Sequence, residues 1–104
     1  MARHDDLRLV FQHRLKTARE MNERSQKQLG IDAGLDPFVA SARVNRYELG
    51  VHQPDLATVE RLAKALTVPP AYLFAGDERL ARMILAFDKL STADKDRVLR
   101  QMDE

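Results

Sequence analysis

The sequence has no cysteine and no tryptophan, and only four glycines and four prolines in 104 residues. Without cysteine there is no disulfide framework, no thiol nucleophile and no zinc finger. The three histidines, His4, His13 and His52, show no metal-ligand spacing, so neither a metal nor a cofactor is expected. No apolar run approaches the roughly 18 residues that a membrane-spanning helix needs. The start, Met1-Ala-Arg-His-Asp-Asp, runs straight into an amphipathic pattern with no signal-peptide core, which makes the cytoplasm the expected location. Nor is charge of one sign in excess: 17 Lys and Arg face 16 Asp and Glu, a net charge of +1.

What remains is 44% hydrophobic and 32% charged residues at a mean hydropathy of −0.44, the profile of an ordinary folding chain. The length suits one compact domain with a short appendage and is too small for two cores. Charge is unevenly spread. Residues 1–47 carry nine cations and six anions, whereas the chain from Ala65 onward carries six cations and seven anions. The N-terminal half is therefore the better match for an anionic partner.

Apolar residues recur at three and four positions throughout, predicting an all-α fold with no strand. Leu7, Val10 or Phe11, Leu15, Ala18 and Met21 form one stripe, placing a first helix at about 7–22. Ser25 reads as the N-cap of a short second helix over 26–33, with Leu29 and Ala33 inward and Gly34 as its left-handed stop. Asp36 before Pro37 repeats the start signal for a third helix that Gly50 ends. Asp55 caps a fourth, in which Leu56, Val59, Leu62, Ala63 and Leu66 face inward. After Val68-Pro69-Pro70, a short fifth helix over 71–74 presents Tyr72, Leu73 and Phe74 to the core. The compact unit is expected to span 7–76. Two more helices follow in 77–104, the first carrying Leu80, Met83, Ile84, Phe87 and Leu90, the second opened by Ser91 with Asp94 three positions on.

Five ordered features make the resemblance specific: Arg14-Leu15-Lys16-x-Ala18-Arg19, Ser25-Gln26-x-x-Leu29-Gly30, Gly34-Leu35, Asn45-Arg46-Tyr47-Glu48-x-Gly50, and the run from Pro54 through Leu56, Thr58, Leu62, Ala63, Ala65 and Leu66 to Val68. From about Phe11 to Phe74 the chain resembles the lambda-repressor-like helix-turn-helix domain of the Xre/Cro family of bacterial and phage repressors. The resemblance implies a five-helix DNA-binding domain, here followed by two C-terminal helices. It also implies an ion pair between Arg19 on the first helix and Glu48 on the third, fixing one against the other. Two departures stand out. Between Gly34 and Tyr47 the chain is longer than the family pattern by roughly one helical turn, about four residues. Either Asp36 caps a third helix that starts one turn earlier, which is the preferred reading, or 36–40 form a lengthened turn and Ser41 caps a helix of ordinary length. At Asn22-Glu23-Arg24 the family usually has a glycine and an apolar residue, so Asn22 is expected to take the left-handed turn and Arg24 to point at phosphate.

The chemistry of the DNA-facing candidates can be read independently. Gln26 and Lys27 open the second helix, where free N–H groups and the positive dipole end favour a phosphate, and the Gln26 amide can also hold a neighbouring side chain. Ser41, Ala42 and Arg43 near the tip of the third helix, with Asn45 and Arg46 along its exposed side, are the candidate base readers. Arginine bridges guanine O6 and N7, asparagine bridges adenine N6 and N7, and alanine meets a thymine methyl. Phe38 is either a core residue or an aromatic that touches a base step. His52, with Gln53, lies in the loop after the third helix, either as a phosphate contact or as plain polar loop.

These residues point to a sequence-specific regulator, a repressor in the leading reading, binding a palindromic site on double-stranded DNA as a homodimer, since one such unit buries too little to be selective. The C-terminal stripe is the candidate dimer interface, or else packs back on the domain. The alternative is an antitoxin or adaptor whose C-terminal helices hold a protein partner. An enzyme is not expected: there is no nucleophile elbow and no glycine-rich phosphate loop.

Overall fold

The computed structural model describes residues 6–104. His4 and the rest of Met1–Asp5, on which the expected location rested, lie outside them. The described residues are helical throughout, in the order α1 (Leu7–Met21), α2 (Gln26–Asp32), α3 (Ala40–Leu49), α4 (Leu56–Leu66), one 3-10 helix (Pro70–Phe74), α5 (Glu78–Asp88) and α6 (Thr92–Asp103). The predicted caps explain three of the six α-helix starts, and Asp6 and Asp77 cap α1 and α5. The Ser25 hydroxyl accepts from the Gln28 N–H at 3.0 Å, the Asp55 carboxylate from Thr58 at 2.8 Å, and the Ser91 hydroxyl from Asp94 at 3.1 Å. Gly34 and Gly50 take the left-handed φ of 87° and 77° that end α2 and α3 sharply.

One core serves the whole bundle. Leu15, Leu29, Leu62, Leu66 and Leu73 are completely buried, each worth about 1.5–3 kcal/mol of apolar transfer. Around them close Phe11, Val44, Tyr47, Val59 and Tyr72, with Phe11 stacked on Phe74 at 5.6 Å. Leu7, Met21 and Leu56, placed on inward stripes by their spacing, are exposed instead, Leu56 to 80%. All three sit on end turns, beyond the rim of the core. Leu56 overlooks a hollow of about 170 Å³ between the start of α1 and the α3–α4 loop.

Three local readings are corrected. First, α3 does not start at Pro37 under an Asp36 cap. The Asp36 carboxylate accepts from the Phe38 N–H at 2.8 Å and its carbonyl from the Val39 N–H at 3.0 Å, which closes a separate turn, and the helix begins at Ala40 with no side-chain cap. The lengthened turn is the geometry adopted, although Ser41 is not the cap. The reason lies across the helix pair: Ala40 is fully buried against Gly30, where a β-carbon would come within 2.6 Å of that of Ala40. Second, the left-handed residue after α1 is Glu23 (φ 53°), because the Asn22 amide donates to the carbonyls of Ala18 and Leu66 and holds its own backbone at φ −88°. Third, Arg24 turns inward, donating to the Ala65 carbonyl and pairing with Asp32 at 2.9 Å, so it is spent within the protein.

A buried arginine ties the start of α5 to this core. Arg14, 3% exposed, donates through Nε to the Ala75 carbonyl at 2.8 Å and through Nη1 to Glu78 at 2.9 Å, and its guanidinium lies 5.5 Å from the Tyr72 ring centroid. Ala81 of α5 is buried, and Ile84 and Leu85 pack against the core. No residue of α6 is buried, and Leu80 and Met83 on α5 and Leu99 and Met102 on α6 are exposed apolar side chains.

The Asp55 cap carries a pH signature. Hydrogen bonds from the Thr58 hydroxyl and N–H hold its carboxyl below the ordinary value of 3.8. A depressed carboxyl stabilises the fold fully above its unfolded value and loses that contribution as pH falls through its folded one. Asp55→Ala should therefore lower Tm at neutral pH, and the gap from wild type should shrink progressively below about pH 4. A gap unchanged from pH 7 to pH 2.5 in thermal melts would contradict this role.

Candidate nucleic-acid interface

The site is built outward from a half-buried ion pair. The Arg19 guanidinium on α1 grips the Glu48 carboxylate on α3 with two hydrogen bonds, at 2.6 and 3.1 Å, and donates a third, at 2.9 Å, to the Arg24 carbonyl. The Arg19 side chain is 14% and that of Glu48 4% exposed. The hydrogen bond to Glu48, opposed by burial, raises the Arg19 pKa further, so this cation stays charged at any pH at which the protein folds. The pair implied by the family pattern is present, and it does more than join two helices.

Glu48 also accepts, at 3.1 Å, from the amide of Gln26, the first residue of α2, and that same amide donates to Asn45 Oδ1 at 3.1 Å. Arg19, Glu48, Gln26 and Asn45 thus form one continuous network from the half-buried α1–α3 contact to the exposed face of α3. Gln26 is the hinge of this arrangement. Its position was legible in the sequence, but its partners were not; the available signal was that Asn45 and Glu48, three apart, share one helix face. Asn45 keeps its amide donors and one oxygen lone pair, the pair of functions that adenine recognition needs.

On the outer face of α3, Ser41, Ala42, Asn45 and Arg46 are exposed, while Ala40, Val44 and Tyr47 point inward, as the helical spacing requires. Among the described residues, Arg46, Lys27, Ser41 and His52 have no side-chain hydrogen bond or ion pair, so all four are available to an external partner. Arg43 is less free. It donates to the Tyr47 hydroxyl at 2.9 Å and lies over that ring at 6.0 Å, braced toward one side of the helix. Phe38 is not a core residue: it is 98% exposed on the turn before α3. His52 and Gln53 are exposed in the α3–α4 loop. Lys27 stands beside Gln26 at the start of α2, where the dipole favours an anion.

A short helix held across a second, exposed helix, with amide and guanidinium groups on one edge, is the arrangement of a helix-turn-helix, and with the two likenesses that follow it makes this a DNA-binding protein that regulates transcription. The helix-turn-helix family model matches residues 15–73. The crystal structure of transcriptional regulator BswR is similar over 88% of this chain and 91% of that one, with a TM-score of 0.82 at 43% identity. No curated protein matches the chain. The chain belongs to the Xre/lambda-repressor-like helix-turn-helix family. No helix among its described residues is long and apolar enough to cross a membrane.

Proposed function

We propose that the protein is a cytoplasmic, non-catalytic repressor that binds a palindromic operator as a homodimer. Residues 7–76 read the DNA and 77–104 join the two copies. The observation that carries this reading is the network that presents Gln26 and Asn45 together beside an unpaired Arg46. The backbone N–H of Gln26, whose side-chain amide is spent on Glu48 and Asn45, and the Lys27 ammonium hold a phosphate at the start of α2, and His52 holds a second from the α3–α4 loop. Phe38, Ser41, Ala42, Arg43, Asn45 and Arg46 face the major groove, with Arg46 on a guanine and Asn45 on an adenine. Homodimerisation is supported by α6, an amphipathic helix with no buried residue, and by the apolar side chains exposed on it and on α5.

Selection of bound sequences from a random duplex library, followed by affinity against salt, tests the proposal. A palindrome whose half-sites lie about one helical turn apart supports a dimeric operator-binding protein. Binding without sequence preference, together with capture of a different protein by the C-terminal helices, would favour the adaptor reading. On the selected site, Arg46→Ala should weaken binding by about 1–3 kcal/mol and relax the preference at one position. Gln26→Ala keeps the backbone N–H and removes the amide that holds Asn45, so it should cost affinity chiefly on the selected site, at the position Asn45 reads, and less on random duplexes. Equal losses for both variants on both kinds of DNA would contradict the assignment.

A further inference from the structure

Phe38 is the most exposed large apolar side chain among the described residues, yet its backbone is fixed. Pro37 restricts the chain before it, the Asp36 carboxylate accepts its N–H at 2.8 Å, and Val39 closes back on the Asp36 carbonyl at 3.0 Å. The following residue, Ala40, is locked against Gly30. An aromatic ring left in water on a rigid turn is poised for a partner that covers it, because a loose turn would fold it down onto the protein. Val39, beside it, is exposed as well, so the turn offers a small apolar patch and not a lone ring.

The place of the turn decides what covers the patch. It leads directly into α3, three residues before the exposed Ser41, and its one acidic group, Asp36, turns a carboxylate oxygen back to the Phe38 N–H. The apolar features on a major-groove edge are the thymine C5-methyl groups. Resting on the DNA-binding reading above, we infer that Phe38, with Val39, reads thymine by packing on its methyl group at the outer edge of each half-site. The inserted turn is then a specificity element in its own right, adding an apolar readout to the hydrogen-bonding readout of Asn45 and Arg46.

The test replaces thymines of the selected operator one at a time by deoxyuridine, which removes only the methyl and leaves every hydrogen bond of the base pair. Affinities are measured for the full chain and for Phe38→Ala, with thermal melts to show that both fold alike. At one position per half-site the wild type should lose about fourfold in affinity, the worth of one buried methyl-sized group, and Phe38→Ala should show no loss there. Wild-type binding that is indifferent to every replacement, or Phe38→Ala retaining the penalty at every sensitive thymine, overturns the inference and leaves the DNA-binding reading standing. A Phe38→Ala variant that alters the oligomeric state with DNA affinity unchanged assigns the ring to a protein contact and also overturns it. A wild-type protein that prefers no duplex overturns both.

Discussion

Arg19→Ala should lower stability by about 3–5 kcal/mol, because it leaves the Glu48 carboxylate, 4% exposed, without its cation. For a domain of this size that is a fall in Tm of at least about 12 °C. The Gln26 amide alone would remain on Glu48, too little to compensate an ionised carboxylate. Changing both partners together, Arg19→Met with Glu48→Met, should recover most of the stability, since no charge is stranded. The double variant should still bind operator weakly, because Gln26 loses one of its two anchors and no longer holds Asn45 in place. Thermal melts and operator titrations on the two variants separate these effects. If Arg19→Ala melts within a few degrees of wild type, the network is only a surface ornament.

The second large effect runs against helix propensity. In an exposed helix, glycine to alanine stabilises by about 0.5–1 kcal/mol. Gly30→Ala should instead destabilise by about 1–3 kcal/mol, because the new β-carbon would stand 2.6 Å from that of Ala40 and 3.0 Å from its Cα and carbonyl oxygen. Two of those contacts are backbone, so α3 itself must retreat from α2. Adding Ala40→Gly should therefore recover only part of the loss. A retreat of a few tenths of an ångström also stretches the Gln26 to Asn45 hydrogen bond, and operator affinity should drop in the single variant even where it remains fully folded. Denaturant midpoints and operator affinity check both halves; wild-type values for each would show that the two helices part without cost.

Most of the architecture was legible because it is written locally. The stripes of α1, α2 and α4, the caps at Ser25, Asp55 and Ser91, and the stops at Gly34 and Gly50 involve residues only a few positions apart. What the reading missed is set by distant partners. Asp36-Pro37 has the composition of a helix start, but the fit of Ala40 against Gly30 places that start three residues later. Asn22 looks like the residue for a left-handed turn until its amide is drawn toward Leu66, 44 positions away. Leu56 follows the apolar period of α4 but lies beyond the core's rim. Within the candidate site, the separate residues were visible as types with suitable chemistry. Their linkage through Gln26 was not, since it joins positions 19 and 22 apart in the chain.

The guanidinium of Arg14 bears on how the molecule is made. Its acceptors at Ala75 and Glu78 lie 61 and 64 residues downstream, so a nascent chain that has emerged only as far as Phe74 holds every helix that faces DNA but leaves this cation to water and the Tyr72 ring, without its two fixed acceptors. At about 5–20 residues per second the missing partners arrive within a second or so, and α1 then closes against a segment that belongs to neither the turn nor the recognition helix. The packing of α1 is thus completed by the junction that follows Phe74, and not by α2 and α3 alone.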